Sequence, residues 1–196
     1  MLSFADPDGM ALEIVAAGEP GMGLPVVGSD VPREHALLGF HGVTLGLNDP
    51  AATAQVLTAV FGWRNFGVEG GRTRYAAGNA STVLGRFVDL VAVSGARGRQ
   101  GRGSVHHIAF RAGSDADQAG MVGTLAGLGL AATEQKDRFY LRSVYFREPG
   151  GILFEIATDD PGFAADEALA DLGKALKLPP QYEAARARIE AALPKL

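Results

Sequence analysis

The chain of 196 residues contains no cysteine. Disulfides, thiolate metal sites and cysteine nucleophiles are therefore excluded from it. No apolar run approaches the roughly 20 residues that a bilayer-spanning helix requires. The opening stretch, MLSFADPDGM, lacks a basic segment followed by an apolar one and does not read as a signal peptide. An excess of positive charge is missing too. Lys and Arg number 18 against 22 Asp and Glu, a formal charge of −4, which argues against nucleic acid or a membrane surface as the main partner. The expected location is the cytoplasm. Histidine is scarce, with four in all, and two of these are adjacent, His106 and His107. The rest is ordinary: 47% hydrophobic and 20% charged residues, enough for one domain and a smaller appended element.

The N-terminal residues 1–17 read as a short strand after the turn Asp6-Pro7-Asp8-Gly9. Gly18 to Pro32 is rich in Gly and Pro and reads as a linker, up to about residue 37. Gly39 to Leu47 alternates as a strand should. Asn48 or Asp49 then caps a helix with Pro50 in its first turn and Ala52, Val56, Ala59 and Val60 as its inner stripe, stopped by Gly62. Arg72 to Val93 holds two or three strands, with Asn79 and Gly85 near turns, and Gly95 to Gly103 is a glycine-arginine loop in which Arg97, Arg99 and Arg102 read as solvated. Ser104 to Ala112 is a second leading strand. Asp115 caps a second helix with Ala119, Val122 and Leu125 inward. Strands at Ala131 to Glu134, Phe139 to Phe146 and Gly151 to Ala157 follow. The last part, 161–196, reads as a helical tail of two helices, Phe163 to Leu176 and Pro180 to Leu193.

Internal repetition organises these elements. FHGVTL at Phe40 to Leu45 aligns with VHHIAF at Val105 to Phe110, and the same offset, within one residue, brings VDLVAV (Val88 to Val93) onto FEIATD (Phe154 to Asp159). Residues 38–160 thus form two βαβββ modules, 38–94 and 104–160, and the fold class is α+β, paired modules curving a sheet around a cavity. A third, partial copy opens the chain: FADPDGMALEIVA (Phe4 to Ala16) matches FREPGGILFEIAT (Phe146 to Thr158), with Glu13 on Glu155. Residues 1–17 are expected to be the last hairpin of a module whose front is missing, in a truncated chain or one that borrows strands from a partner, for example as a homodimer.

Strand parity locates the chemistry. Ile152, Phe154 and Ile156 share one face and Leu153, Glu155 and Ala157 the other, while His107 and Ala109 oppose Ile108 and Phe110. Bulky faces want the helices, so His107 and Glu155 fall on an open face. A carboxylate in an apolar strand needs a partner or a cation, and His plus carboxylate on neighbouring strands is half of a divalent-metal site. The position equivalent to His107 in the first module is Gly42, that of Glu155 is Asp89, and His41 matches His106 and by parity points to the helix side. Glu13 and Asp89 read as paired or solvated carboxylates rather than ligands.

The two modules, the HHIAF strand and the FREPGGILFEIATDDPGF segment resemble the vicinal-oxygen-chelate superfamily of glyoxalases, bleomycin-resistance proteins and extradiol dioxygenases. Within it, the likeness is to hydroquinone-type ring-cleaving dioxygenases, whose full-length members have four modules. The resemblance implies an iron(II) site of two histidines and one glutamate, with manganese, zinc or nickel as alternatives. His107 and Glu155 match two ligands, and the other histidine belongs to a strand this chain lacks. It further implies that His106, Arg138 and Tyr145 surround the substrate, a small aromatic diol, and O₂. A glyoxalase-like lyase or isomerase, which Gly42 disfavours, and a non-catalytic binding module are the competing readings.

Overall fold

The computed structural model describes residues 1–16, 30–78, 85–96, 98–101 and 103–194. Asn79, Arg97, Arg102 and most of the expected linker lie outside that set. The first two strands, β1 (Leu2–Ala5) and β2 (Ala11–Ile14), form an antiparallel hairpin. Then come β3 (Gly42–Leu47), α1 (Pro50–Ala59), β4 (Arg64–Glu69), β5 (Arg72–Ala76) and β6 (Phe87–Ala92). The second series is β7 (Ile108–Ala112), α2 (Asp115–Gly127), β8 (Lys136–Asp137), β9 (Arg142–Arg147) and β10 (Leu153–Thr158). Each series makes its own four-stranded sheet, in the orders β3-β6-β5-β4 and β7-β10-β9-β8. In both, the first and last strands pair in parallel and the rest antiparallel. The architecture is the expected α+β. No closed barrel forms among the described residues.

Local chemistry explains the helix ends. The Asp49 side chain accepts from the Ala51 amide at 3.1 Å ahead of Pro50, and Gly62 leaves α1 at φ +65°. In α2 the cap is Ser114, which accepts from the Asp117 amide at 3.1 Å. Asp115, expected to cap, is instead the first helical residue and bonds Arg142. Val56, Val60 and Leu125 are buried as expected; Thr53, Leu57 and Gln118 join them, while Ala59 and Ala119 of the expected stripes are exposed. Gln118 can go inward because its amide donates to the carbonyls of Arg142 and Ile156 at 3.0 and 2.8 Å.

One core serves both modules. Phe61, just after α1, stacks on Phe110 of β7 with centroids 4.0 Å apart, and Trp63 meets the same ring edge-on at 5.6 Å. Phe110, Phe146, Phe154 and Ile156 are buried together with Val56, Leu57 and Leu125. The helix sides of the two modules therefore face one another, and the opposite sheet faces are left for chemistry.

The tail corrects the sequence expectation. Only α3 (Arg186–Ala192) is α-helical there, after a 3-10 stretch at Pro180–Ala185. Phe163 to Leu176 is not a helix but two single 3-10 turns, Phe163–Ala165 and Leu169–Asp171. Gly162 and Gly173, at φ +84° and +79°, turn the chain at both ends of that stretch, and Asp166 and Phe163 are engaged by Tyr140 instead of a helical neighbour. No helix among the described residues is long and apolar enough to cross a membrane.

Candidate metal centre

Glu155 sits in the middle of β10, paired with Ala109 of β7 on one side and Tyr145 of β9 on the other. His107 lies one residue before β7, not inside a strand as expected. The backbone there is held by a side chain: Gln100 donates through Nε2 to the His106 carbonyl and accepts through Oε1 from Arg147 at 3.0 Å. Two residues before Ala109, His107 still reaches the Glu155 face. Its Nε2 is 2.8 Å from Glu155 Oε2. The second carboxylate oxygen, Oε1, accepts from the Ser143 hydroxyl. Glu155 is only 5% exposed, so both of its oxygens are directed by neighbours rather than by water.

The other expected residues gather around this pair. His106 and His107 approach through their Nδ1 atoms at 2.9 Å, rings perpendicular. The Tyr145 ring stands edge-on to His107 at 6.1 Å. The Arg138 guanidinium lies over the Tyr145 ring, 5.5 Å from its centroid, and no carboxylate pairs with it among the described residues. A cleft of about 940 Å³ opens beside His106 and His107, bounded by Val43, Asn48, Gln100 and Arg147. It does not extend to Glu155 or Tyr145.

Sequence reasoning did not assign roles to Ser143, Gln100 or Glu148. Glu148, in the FREPGG turn, is 2% exposed. It accepts from the amides of Gly150 and Ile152, both at 2.8 Å, and from the Thr53 hydroxyl of α1 at 2.5 Å. A Cβ on Gly150 would lie 2.3 Å from Leu47 and 2.6 Å from Glu148, so the turn packs on the first module by backbone. The repeat held the only hint. Asp6, matched to Glu148, accepts from Asp8 and Met10 at the same spacings, 2.9 and 2.8 Å.

The corresponding place in the first module is filled by protein charge. Asp89, 4% exposed, receives two bonds from Arg74 at 2.7 and 2.8 Å and one from Arg72 at 3.4 Å. Arg72 also binds both oxygens of Glu13 at 2.7 and 2.9 Å and reaches Thr44 at 2.8 Å. Burial pushes the Asp89 carboxyl up, but the bonds and charges of Arg74 and Arg72 outweigh it and hold the group below its usual range. The Arg72 bond keeps Glu13 below its usual value as well. Glu13 and Asp89 are thus paired carboxylates. Gly42 cannot be replaced by a ligating side chain, since a Cβ would come 2.5 Å from the Phe87 carbonyl oxygen. His41, expected on the helix side, instead packs on Phe87 at 4.7 Å, the neighbour of Asp89 on the same face. Burial, and then the Arg74 charge, depresses its pKa.

Can the second site take a cation? A buried carboxylate beside an imidazole, with a hydroxyl steering the carboxylate, supplies two donors of the type a divalent metal uses. Among the described residues there is no group of three or more His, Asp or Glu that could hold a metal. The donors fit as half of a coordination shell.

Residues 39–156 match the Glyoxalase/Bleomycin resistance protein/Dioxygenase superfamily, and the chain belongs to it. Its relatives are narrower in kind. It is 42% identical over 193 residues to "Putative ring-cleaving dioxygenase MhqO" of Bacillus subtilis, covering 98% of this chain and 60% of that protein. It is 37% identical over 186 residues to the chlorohydroquinone/hydroquinone 1,2-dioxygenase of Sphingobium indicum, 93% of this chain and 57% of that one. A crystal structure titled as a "putative dioxygenase" from Bacillus subtilis superposes with a TM-score of 0.87 at 41% identity, over 98% of this chain and 61% of that chain. The chain spans about three fifths of the length of these relatives.

Proposed function

We propose that this chain forms part of an iron(II)-dependent ring-cleaving dioxygenase of the hydroquinone type, and that His107 and Glu155 are two of its metal ligands. The observation that carries this reading is the buried Glu155 carboxylate held 2.8 Å from His107 Nε2, in a chain similar over nearly all its length to one protein named a putative ring-cleaving dioxygenase and another named a chlorohydroquinone/hydroquinone 1,2-dioxygenase. A bound divalent iron would supply a Lewis acid with redox capacity next to an aromatic diol and O₂. The chain's own residues do the rest. With Nε2 of His107 committed to a ligand, its proton sits on Nδ1 and is donated to His106, which fixes the ring. Tyr145 offers a phenol for proton exchange with a substrate oxygen, and Arg138 a cation, without a carboxylate partner among the described residues, for a developing anionic one. The cleft beside His106 and His107 has the size of a small-ligand site, with Glu155 and Tyr145 outside its lining.

Two donors hold iron(II) poorly, so the reading requires a further donor from outside the described residues, in the same polypeptide or in a second copy. The test is metal analysis by mass spectrometry on protein purified without air, followed by hydroquinone-dependent O₂ uptake. Stoichiometric iron lost in both His107→Ala and Glu155→Ala is the expected result. A parent protein that holds no transition metal and consumes no O₂ with hydroquinone would sink the reading for this chain.

A further inference from the structure

Among the described residues, Phe139 is the one non-glycine residue with positive φ, at +69°. Such a conformation persists only where the surroundings over-determine it, and it is a pointer to function. It lies immediately after Arg138. The Phe139 amide donates to the Asp137 carboxylate at 2.7 Å, the Arg138 amide to the Leu141 carbonyl at 2.9 Å, and the Tyr140 amide to the Arg138 carbonyl at 2.8 Å. These three bonds wind Asp137 to Leu141 into one tight turn. Beyond the β8–β9 pairing at its base, it is held by the segment that leaves β10. Gly162 donates to the Tyr140 carbonyl at 2.8 Å, the Tyr140 hydroxyl donates to Asp166 at 2.9 Å, and the Tyr140 ring lies against Phe163 at 5.3 Å. Lys177 in turn donates to the Asp166 carbonyl at 3.1 Å.

We infer that residues 162–166 are a latch, which clasps Tyr140 and so keeps the strained turn in the shape that sets the Arg138 guanidinium over Tyr145. Tyr140, Asp166 and Phe139 are positioning residues, since none of them lines the His107–Glu155 pair. Without the latch the turn keeps only the β8–β9 pairing at its base and relaxes at positive φ, and Arg138, exposed and without a carboxylate partner among the described residues, leaves Tyr145. The role of Arg138 in the site rests on the proposed dioxygenase reading; the latch itself does not.

The experiment follows amide hydrogen exchange in the full chain for the parent, Tyr140→Phe, Asp166→Ala and Phe139→Asn. Asparagine tolerates positive φ without needing outside support. Both latch variants are expected to speed exchange of the Arg138 amide by about tenfold or more, with the β9 and β10 amides unchanged. Adding Phe139→Asn to Tyr140→Phe is expected to restore protection. Unchanged exchange at Arg138 in both latch variants overturns the latch. Faster exchange with hydroquinone affinity and turnover as in the parent overturns its role at the site. A parent inert to hydroquinone overturns the dioxygenase reading instead, and exchange alone then decides the latch.

Discussion

Ser143 holds Glu155 by the oxygen that His107 leaves free. Removing it in Ser143→Ala leaves a buried carboxylate oxygen without a donor, which costs about 1–3 kcal/mol. On the proposed reading it also lets the carboxylate turn away from His107, and metal affinity is then expected to fall by about 10–100-fold. Denaturant titration and cobalt titration monitored by absorption check the two effects separately. Parity placed Glu155 on a named face of β10, and the repeat alignment pointed to His107, one residue before β7, as its neighbour; the structure brings the two within 2.8 Å. Ser143 has the same parity, yet a serine facing a carboxylate carries no sequence signal of its own. Gln100 and Glu148 were illegible for a related reason: each acts through a partner distant in sequence, Arg147 and Thr53, that only the folded chain brings near. His41, one residue before β3 as His107 is one before β7, packs on Phe87 and not on the helix side its parity suggested.

The β9–β10 hairpin is the element that carries Ser143, Tyr145 and Glu155, and its turn is fastened to α1. Glu148→Ala removes one acceptor from two amides and a hydroxyl at once, and is expected to destabilise the protein by about 2–5 kcal/mol. Thr53→Val should cost less, and in the Glu148→Ala background almost nothing, which a double-mutant cycle in urea would register. Additive losses would mean that the Thr53–Glu148 bond does not join the modules. The tail was the element least legible from sequence. Alanine and leucine at helical intervals from Phe163 to Leu176 suggest a helix, but propensity alone sustains none of that length. Here tertiary bonds from Tyr140 claim the residues instead. Strand β4 was missed for the opposite reason: RNFGVE is an exposed edge strand, with a bulge between Asn65 and Gly67, and has no alternating burial to betray it. The N-terminal hairpin shows how much the repeat could tell. Leu2, Phe4, Leu12 and Ile14 are exposed, while their counterparts Val144, Phe146, Phe154 and Ile156 are buried. Pairing is the same in both hairpins, Leu2 with Ile14 and Phe4 with Leu12, as Val144 with Ile156 and Phe146 with Phe154.

For the molecule as a whole, stability divides between a shared apolar core and a charged cluster. Phe110→Ala, which empties the place where both modules meet, should cost about 3–5 kcal/mol by chemical denaturation. The charged cluster sets an acid limit. Asp89 and Glu13 have folded pKa values below their unfolded ones, so their contribution is complete above about pH 4–5 and is lost as pH falls through the folded values. His41, kept neutral by burial, acts in the same direction: it resists protonation when folded, so stability declines below about pH 6.5. Arg72→Met is expected to raise the midpoint of acid unfolding, because two carboxylates then stand together with less positive charge to offset them; an unchanged midpoint would remove Arg72 from this account. The same guanidinium separates the two modules in another respect. It is tethered by covalent bonds, so no chelator can strip it, no competing ion can displace it and no oxidant can change its charge. The first module carries its counter-charge in its own sequence, whatever metal ions the buffer contains. The second has a glutamate and a histidine in the corresponding place, and on the proposed reading its counter-charge is drawn from solution.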